Sequence, residues 1–452
     1  MPIKKYNSTS QQWESYCDND IDVNQTIGKI SINNQWLIAW HGLHAHDGIL
    51  FEPWTSATSL PSSAGNYYLV NDVVISSTWT VPTGTTNLCL NGKKLKLDDA
   101  AEDRVISVPA NATLNIRDCC AYGKQPIVHT DVFDAVTGSG TVSITGGVIT
   151  GGKLSSSTDK GAAIQIANNG TVNLYGGSIS GNSSNGGGGA IDINSGASFT
   201  MYGGCISYNR QYNSTYSRYG GGAICSSQSY NIYGGEITHN KGVAGGALYT
   251  SSGYVGFYGG DIHDNEGSYG TALYGTMKMY SVNGSCPIIR NHTGNTIYGK
   301  GSIVIDGGKI CDCSGVAVRN EQGLNMSGGE ITNCATAIYS HNNGSVELSG
   351  GYIHDNNIGY DGRMLNGLFK LSGNPKIVNN TKNSILKSGN KFTVVGKLLS
   401  DASIGVTLGS NSGTFTDGYS TYNNEAPSTF FSSDNNNYTV TLVDGEAALI
   451  SI

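Results

Sequence analysis

The chain has 452 residues, with 26 Lys+Arg against 33 Asp+Glu for a formal net charge of −7, and only 13% of its residues are charged, while Gly (64) and Tyr (26) are abundant. With no basic run, that balance excludes nucleic-acid recognition by bulk charge, and no apolar stretch approaches the ~18 residues needed to cross a bilayer. Apolar residues recurring at fixed places under a small net charge also exclude wholesale disorder, despite the Gly- and Ser-rich composition.

Residues 1–55 read as an attachment or linker segment. The opening, MPIKKYNSTSQQWESY, lacks the apolar h-region of a signal peptide, so work outside a cell implies release by lysis, on a particle or as a fragment. Further on, HGLHAHDG places His44 and His46 on one side of an extended segment, with His41 and Asp47 close by. In a trimer, three such pairs would surround one structural metal on the axis. The ten Cys form no CxxC pair and match no zinc or disulfide spacing.

From residue 56 to 390 the pattern is that of a solenoid. Segments such as WTVPTGTTNLCLNGKKLKL and RVISVPANATLNIRDC read as wide first coils, and then one phrase recurs as LYGGSISGN, MYGGCISYN, IYGGEITHN and FYGGDIHDN. The interval runs from 31 residues (Gly203 to Gly234) down to 21 (Gly307 to Gly328), the range for one turn of a β-solenoid. Within a repeat, Val172, Leu174 and Ile179 fall on one face, and Asn173, Tyr175, Ser178 and Ser180 on the other. Gly-Gly between the strand pieces permits a bend that a Cβ would obstruct. The expected fold is all-β, a right-handed parallel β-helix.

One column supports it independently. At the third position after the inward Ile stand Asn182, Asn209, Asn240, Asn265, Asn291, Asn356 and Asn380, predicted to hydrogen-bond from coil to coil, with Cys313 and Cys334 as small buried thiols where Asn is absent. Outward columns carry the candidate chemistry. Tyr175, Tyr202, Tyr233 and Tyr258 share one position, and Tyr249, Tyr274, Tyr298 and, past Arg319, Tyr339 share another. Flat rings ending in hydroxyls suit sugars, although the same rings serve equally to stack on one another and shield the wall. Glu236 and Asp261 occupy equivalent positions in adjacent coils, with His263 beside them. Two carboxylates one coil apart would repel and leave an acid beside a base, as a retaining glycosidase requires, while an outward charge on a solenoid is more often simply solvated. The insertion RQYNSTYSRYGGG, with Arg210 and Arg218, would wall one side of a groove. Residues 391–452 keep strand patterning without the Gly-Gly register and are expected to cap the end.

The strings HDGILFEPWTSATSLPSSAGNYYLVNDVVISSTWTVPTGTTNLCLNGKKL and ISVPANATLNIRDC, with the YGGxIxxN repeats, resemble right-handed β-helix surface proteins of gut Gram-positive bacteria over roughly residues 46–452. IKKYNSTSQQWES and IGKISINNQWLIAW resemble the N-terminal attachment segments of phage tail fibres and tailspikes. The second resemblance implies a homotrimeric virion protein, fixed to a tail or baseplate protein through its N-terminus, that binds a bacterial surface polysaccharide and needs no cofactor beyond a structural metal at His44 and His46. Alternatives are a tailspike hydrolase or lyase acting through Glu236, Asp261 and His263, and a bacterial cell-surface adhesin or structural solenoid.

Overall fold

Period-two alternation with glycine corners builds one long coil. The computed structural model describes residues 44–119, 126–212, 220–342, 344–365 and 368–452, with backbone alone at 342 and 363–365, and the backbone of four strands before residue 44. Those four form two antiparallel pairs, Lys4–Asn7 with Gln12–Ser15 and Gly28–Ile32 with Gln35–Trp40. Beyond them the chain is a parallel β-solenoid of about 14 turns. A typical turn has three short strands, such as Thr171–Leu174, Ser178–Ser180 and Ile191–Ile193. Each pairs in parallel with its counterpart one turn on: Leu174 with Met201, Ile179 with Ile206 and Ile191 with Ile224.

The core is made of columns. Ile149, Ile179, Ile206, Ile237, Ile262, Ile289, Ile310, Ile331, Ile353, Ile377 and Ile404 follow one another in register, all buried. Each removes a β-branched side chain from water, worth about 1.5–3 kcal/mol. The Gly-Gly corner allows the coils to stack so closely. Gly235 has φ 89°, a left-handed conformation, and a Cβ on Gly234 would lie 2.6 Å from the Tyr202 carbonyl oxygen of the preceding coil.

The asparagine ladder is present. Asn182 donates from backbone N (3.1 Å) and Nδ2 (2.9 Å) to Asn209 Oδ1, and Asn209 and Asn240 repeat the pattern toward Asn240 and Asn265. Asn356 does the same to Asn380. Asn291 is a correction. It stands at φ 55°, in line with His239, Asp264 and Asp312, which have the same left-handed backbone one residue before the ladder. Since Ile289, not Ile288, is the inward residue, His292 fills the ladder position, with its ring nitrogens 3.4 Å and 3.2 Å from the carbonyl oxygens of Asn265 and Ile262.

Two additions clothe the wall. Lys153–Leu154, Ser183–Ser184, Arg210–Gln211, Lys241–Gly242 and Glu266–Gly267 form a fourth strand column over five turns. The antiparallel hairpin of Val128–Phe133 and Thr141–Thr145 packs Val132 and Ile144 on Val148, outside the main core. At the C-terminus, parallel pairing continues past residue 390 as far as Phe431–Ser433. An antiparallel sheet of Gly413–Thr414, Glu446–Ser451 and Tyr438–Val443 then closes the end, burying Ala447 and Leu449.

Candidate metal centre and outward columns

At the N-terminal end, HAHDGILF folds as sequence chemistry dictates. His44–His46 pairs antiparallel with Ile49–Trp54 across Asp47 (φ 50°) and Gly48 (φ 77°), the Asp-Gly pair that a two-residue hairpin turn favours. The second strand then opens the solenoid by pairing in parallel with Gly65–Leu69. Alternation puts both imidazoles on one side, and the hairpin lays that side against the outer wall. There His44 stacks on Tyr68 (4.3 Å, 5°), His46 meets Phe51 edge-on (5.0 Å, 81°), and Asp47 at the tip forms an ion pair with Arg117.

Beneath the hairpin lie Cys89 and Cys119. His44, His46, Cys89 and Cys119 are all buried, and one ligand atom from each falls within 4.8 Å of the others, close enough to hold a metal ion. His44 Nε2 and His46 Nε2 are 2.9 Å apart, and Cys119 Sγ lies 3.1 Å from Asn91 Oδ1. The two thiols titrate together. Hydrogen bonding to Cys89 holds Cys119 far below the usual thiol range, against burial and with help from both imidazoles, while burial and the neighbouring Cys119 push Cys89 well up. Within the chain, the buried companions of His44 and His46 are Cys89 and Cys119, which the sequence reading did not name. His41 lies outside the described residues.

The first tyrosine column is a continuous stack. Ring centroids are separated by 4.8 Å from Tyr175 to Tyr202, 5.5 Å to Tyr233 and 4.8 Å to Tyr258, with interplanar angles of 7–14°. Two members were not read from the sequence: Tyr280 extends the stack at 5.8 Å, and the Arg117 guanidinium caps Tyr175 at 4.1 Å. Neither has a Gly-Gly pair after it, but both fall into register once the strands are aligned on Ile116, Leu174, Phe257 and Met279. Tyr175, Tyr202 and Tyr233 are 37%, 47% and 42% exposed. Since each ring face lies on its neighbour, the stack offers solvent a row of edges and hydroxyls, not open faces.

The second column is more enclosed. Tyr249 and Tyr298 are buried, and Tyr274, stacked between them at 5.7 and 5.2 Å, is partly so. Arg319 bridges Tyr298 and Tyr339 at 4.6 and 5.8 Å, Tyr269 lies edge-on to Tyr274 and Tyr298, and the Tyr298 hydroxyl donates to Glu321. Shielding of the wall describes Tyr249 and Tyr298 better than sugar binding does.

The acids do not face each other as an unpaired couple. Glu236 and Asp261 are register partners, but Asp261 Oδ2 accepts from Arg290 Nε and Nη2 at 2.9 Å, and Glu236 Oε1 lies 2.6 Å from His263 Nε2. His263 Nδ1 is held by Asp264 at 2.6 Å. Each carboxylate has its own cation or imidazole partner, so the two are not left facing each other as bare charges. The arrangement also recurs: His354 lies 3.0 Å from Glu330 Oε1 and 2.6 Å from Asp355 Oδ2. A bridge written twice along one column reads as coil-to-coil stitching. Of the insertion, Arg210 donates to the Val136 carbonyl at 3.3 Å, and Arg218 lies outside the described residues.

Comparison with known proteins matched no family model, curated protein or solved structure.

Proposed function

We propose that this protein is a non-enzymatic receptor-binding rod of the tail-fibre or tailspike kind, which recognises a bacterial surface glycan along the wall carrying Tyr175, Tyr202, Tyr233 and Tyr258. The parallel β-solenoid is consistent with tailspike- and adhesin-like proteins. The observation that carries the reading is the exposed, in-register row of phenol edges and hydroxyls, repeated at one rung per coil. Such a row presents alternating apolar edge and hydrogen-bonding tip to an extended polar chain. Single contacts are weak, and several rungs, multiplied by copies in a homotrimer, provide avidity. In this reading the part of residues 1–55 that precedes the hairpin opening the solenoid attaches to a tail or baseplate protein, and the site of action is a virion or a cell surface.

The test is retention of the full-length chain on purified surface polysaccharides from candidate host bacteria, beside the double variant Tyr202→Ala, Tyr233→Ala. Retention that is lost in the variant, with an unchanged far-UV spectrum, supports the reading. Equal retention of both proteins removes the tyrosine wall from it. Shortening of the polysaccharide by the parent chain, abolished in Glu236→Gln, would replace binding with depolymerisation.

A further inference from the structure

Four side chains from three separate stretches converge under the N-terminal hairpin, and each departs from what its position otherwise requires. Cys89 falls in register with Tyr68 on one side and Arg117 on the other, in the outward column that later carries the tyrosine stack. It is nevertheless completely buried, because the hairpin covers it. Cys119 stands two residues past Arg117, and His44 and His46 descend from the covering strand. Two thiols and two imidazoles sealed from water form a poor apolar core, since each carries a polar or titratable group that needs a partner.

We propose that His44, His46, Cys89 and Cys119 form an intrachain tetrahedral zinc site that fastens the N-terminal hairpin to the first coils of the solenoid. A set of two imidazole nitrogens and two thiolate sulfurs is borderline-soft and selects Zn2+ over hard cations such as Mg2+ or Ca2+. The spacing suits it. Zn–N and Zn–S bonds of about 2.0–2.3 Å place tetrahedral ligand atoms about 3.3–3.8 Å apart, and the four atoms lie within 4.8 Å of one another, with the two nitrogens at 2.9 Å. Loading releases to solvent the protons that the thiols still hold as two Zn–S bonds form, with no change in oxidation state, and the two thiolates neutralise the ion.

The surroundings hold the ligands in place. Asn91, beside the two cysteines, is fixed by its Nδ2 donating to the Leu69 carbonyl at 2.9 Å. Asp118, next to Cys119, accepts from the backbone N–H of Gly92 (2.7 Å) and Gly147 (2.8 Å), fixing the chain at that point. Tyr68 and Phe51 orient the imidazoles. A bond network through one ion would tie the covering hairpin to the coils at residues 89 and 119, which the Asn115–Asn87 amide contact already joins to each other. This inference uses no part of the glycan reading and stands or falls separately.

The test uses the full chain purified under reducing conditions without chelator, with zinc measured by elemental analysis. The chelated protein is then titrated with Co2+. The expected result is about one zinc per chain, and a cobalt adduct with intense visible bands and a thiolate-to-cobalt charge-transfer band, as an N2S2 tetrahedral site gives. Cys89→Ser and Cys119→Ser should each abolish the charge-transfer signature or cut it severalfold, and Cys205→Ser should leave it intact. The cobalt titration of the unmodified chain does not depend on any variant folding. Two results would overturn the proposal: both thiols free with no stoichiometric uptake of either metal, or a chain lighter by two hydrogens through a Cys89–Cys119 disulfide that takes up no cobalt after reduction.

Discussion

One outward column passes through two different regions of the molecule. In the middle of the rod it holds Tyr175, Tyr202, Tyr233, Tyr258 and Tyr280, stacked and partly open to solvent; nearer the N-terminus the same column holds Tyr68, Cys89 and Arg117, roofed by a hairpin. The mid-rod is held by repetition: each coil receives an Ile, an Asn and a Gly corner from the next. The N-terminal coils have a different ladder, on the outward side of another strand, in which Asn173 donates to Asn115 at 2.8 Å, Asn115 to Asn87 at 2.7 Å and Asn87 to Asn66 at 2.6 Å, and they add contacts that occur once, including Trp79 Nε1 donating to the Pro61 carbonyl at 2.9 Å and the Asp47–Arg117 ion pair. The contrast teaches that in a solenoid the register builds the wall, while whatever covers or leaves open an outward column decides its chemistry.

The contrast breaks most severely if the mid-rod ladder is cut. Asn240 accepts from Asn209 twice and donates to Ile206 O, Thr238 O and Asn265 Oδ1. Asn240→Ala strands several buried groups and should cost about 4 kcal/mol, read as a drop in the urea midpoint. A second variant tests a buried charge on the wall. Burial raises the Asp192 carboxyl to about 6, with Lys160 and Arg104 pulling it down. The folded state therefore holds its proton more tightly than the unfolded chain, so the contribution is full below about pH 3.8 and is lost as pH rises through about 6. Asp192→Asn should gain about 3 kcal/mol at pH 7 and flatten that part of the stability profile.

His292 gives the opposite slope. Burial lowers its imidazole to about 4, with two backbone carbonyls opposing, so its stability contribution is present above pH 6.5 and is lost as pH falls from there toward 4. Replacing it by Asn, the usual ladder residue, should leave stability near pH 7.5 unchanged or raised, and recover about 2 kcal/mol at pH 5, measured by thermal melts at both pH values. Smaller still, Tyr202→Ala removes one rung and should lower stability by only about 1 kcal/mol while weakening glycan retention. Smallest, Glu236→Gln should change stability by less than about 1 kcal/mol, because the Glu236 carboxylate is half-exposed at its pairing with His263.

The repeated parts of the fold were legible because repetition is itself the signal. The Ile column, the Gly corners and most of the Asn ladder follow from period and alternation alone. Counting misplaced one rung, since PIIRNH contains two adjacent isoleucines and only the strand register selects Ile289. The hairpin at 128–145 was hidden by the repeat, since TVSIT stands before Gly146-Gly147 as TVNLY stands before Gly176-Gly177, and only the strand pairing places it outside. Half of the metal cluster was visible, as the HxH of a single strand. Cys89 and Cys119 were not, because ligand spacing in a solenoid is set by coil length and not by a local motif: they lie 30 residues apart, one coil after another. For the candidate acids the shared column was legible, but not that Arg290 pairs with Asp261 or that His263 lies between Glu236 and Asp264.

The claim that the N-terminal coils carry a metal fastening that the mid-rod lacks is tested most directly by hydrogen–deuterium exchange of the zinc-loaded and the chelated chain. The account predicts that chelation speeds exchange in peptides spanning 44–119 and leaves those spanning 171–305 unchanged. Identical exchange in both samples, or a uniform rise along the whole rod, would contradict it.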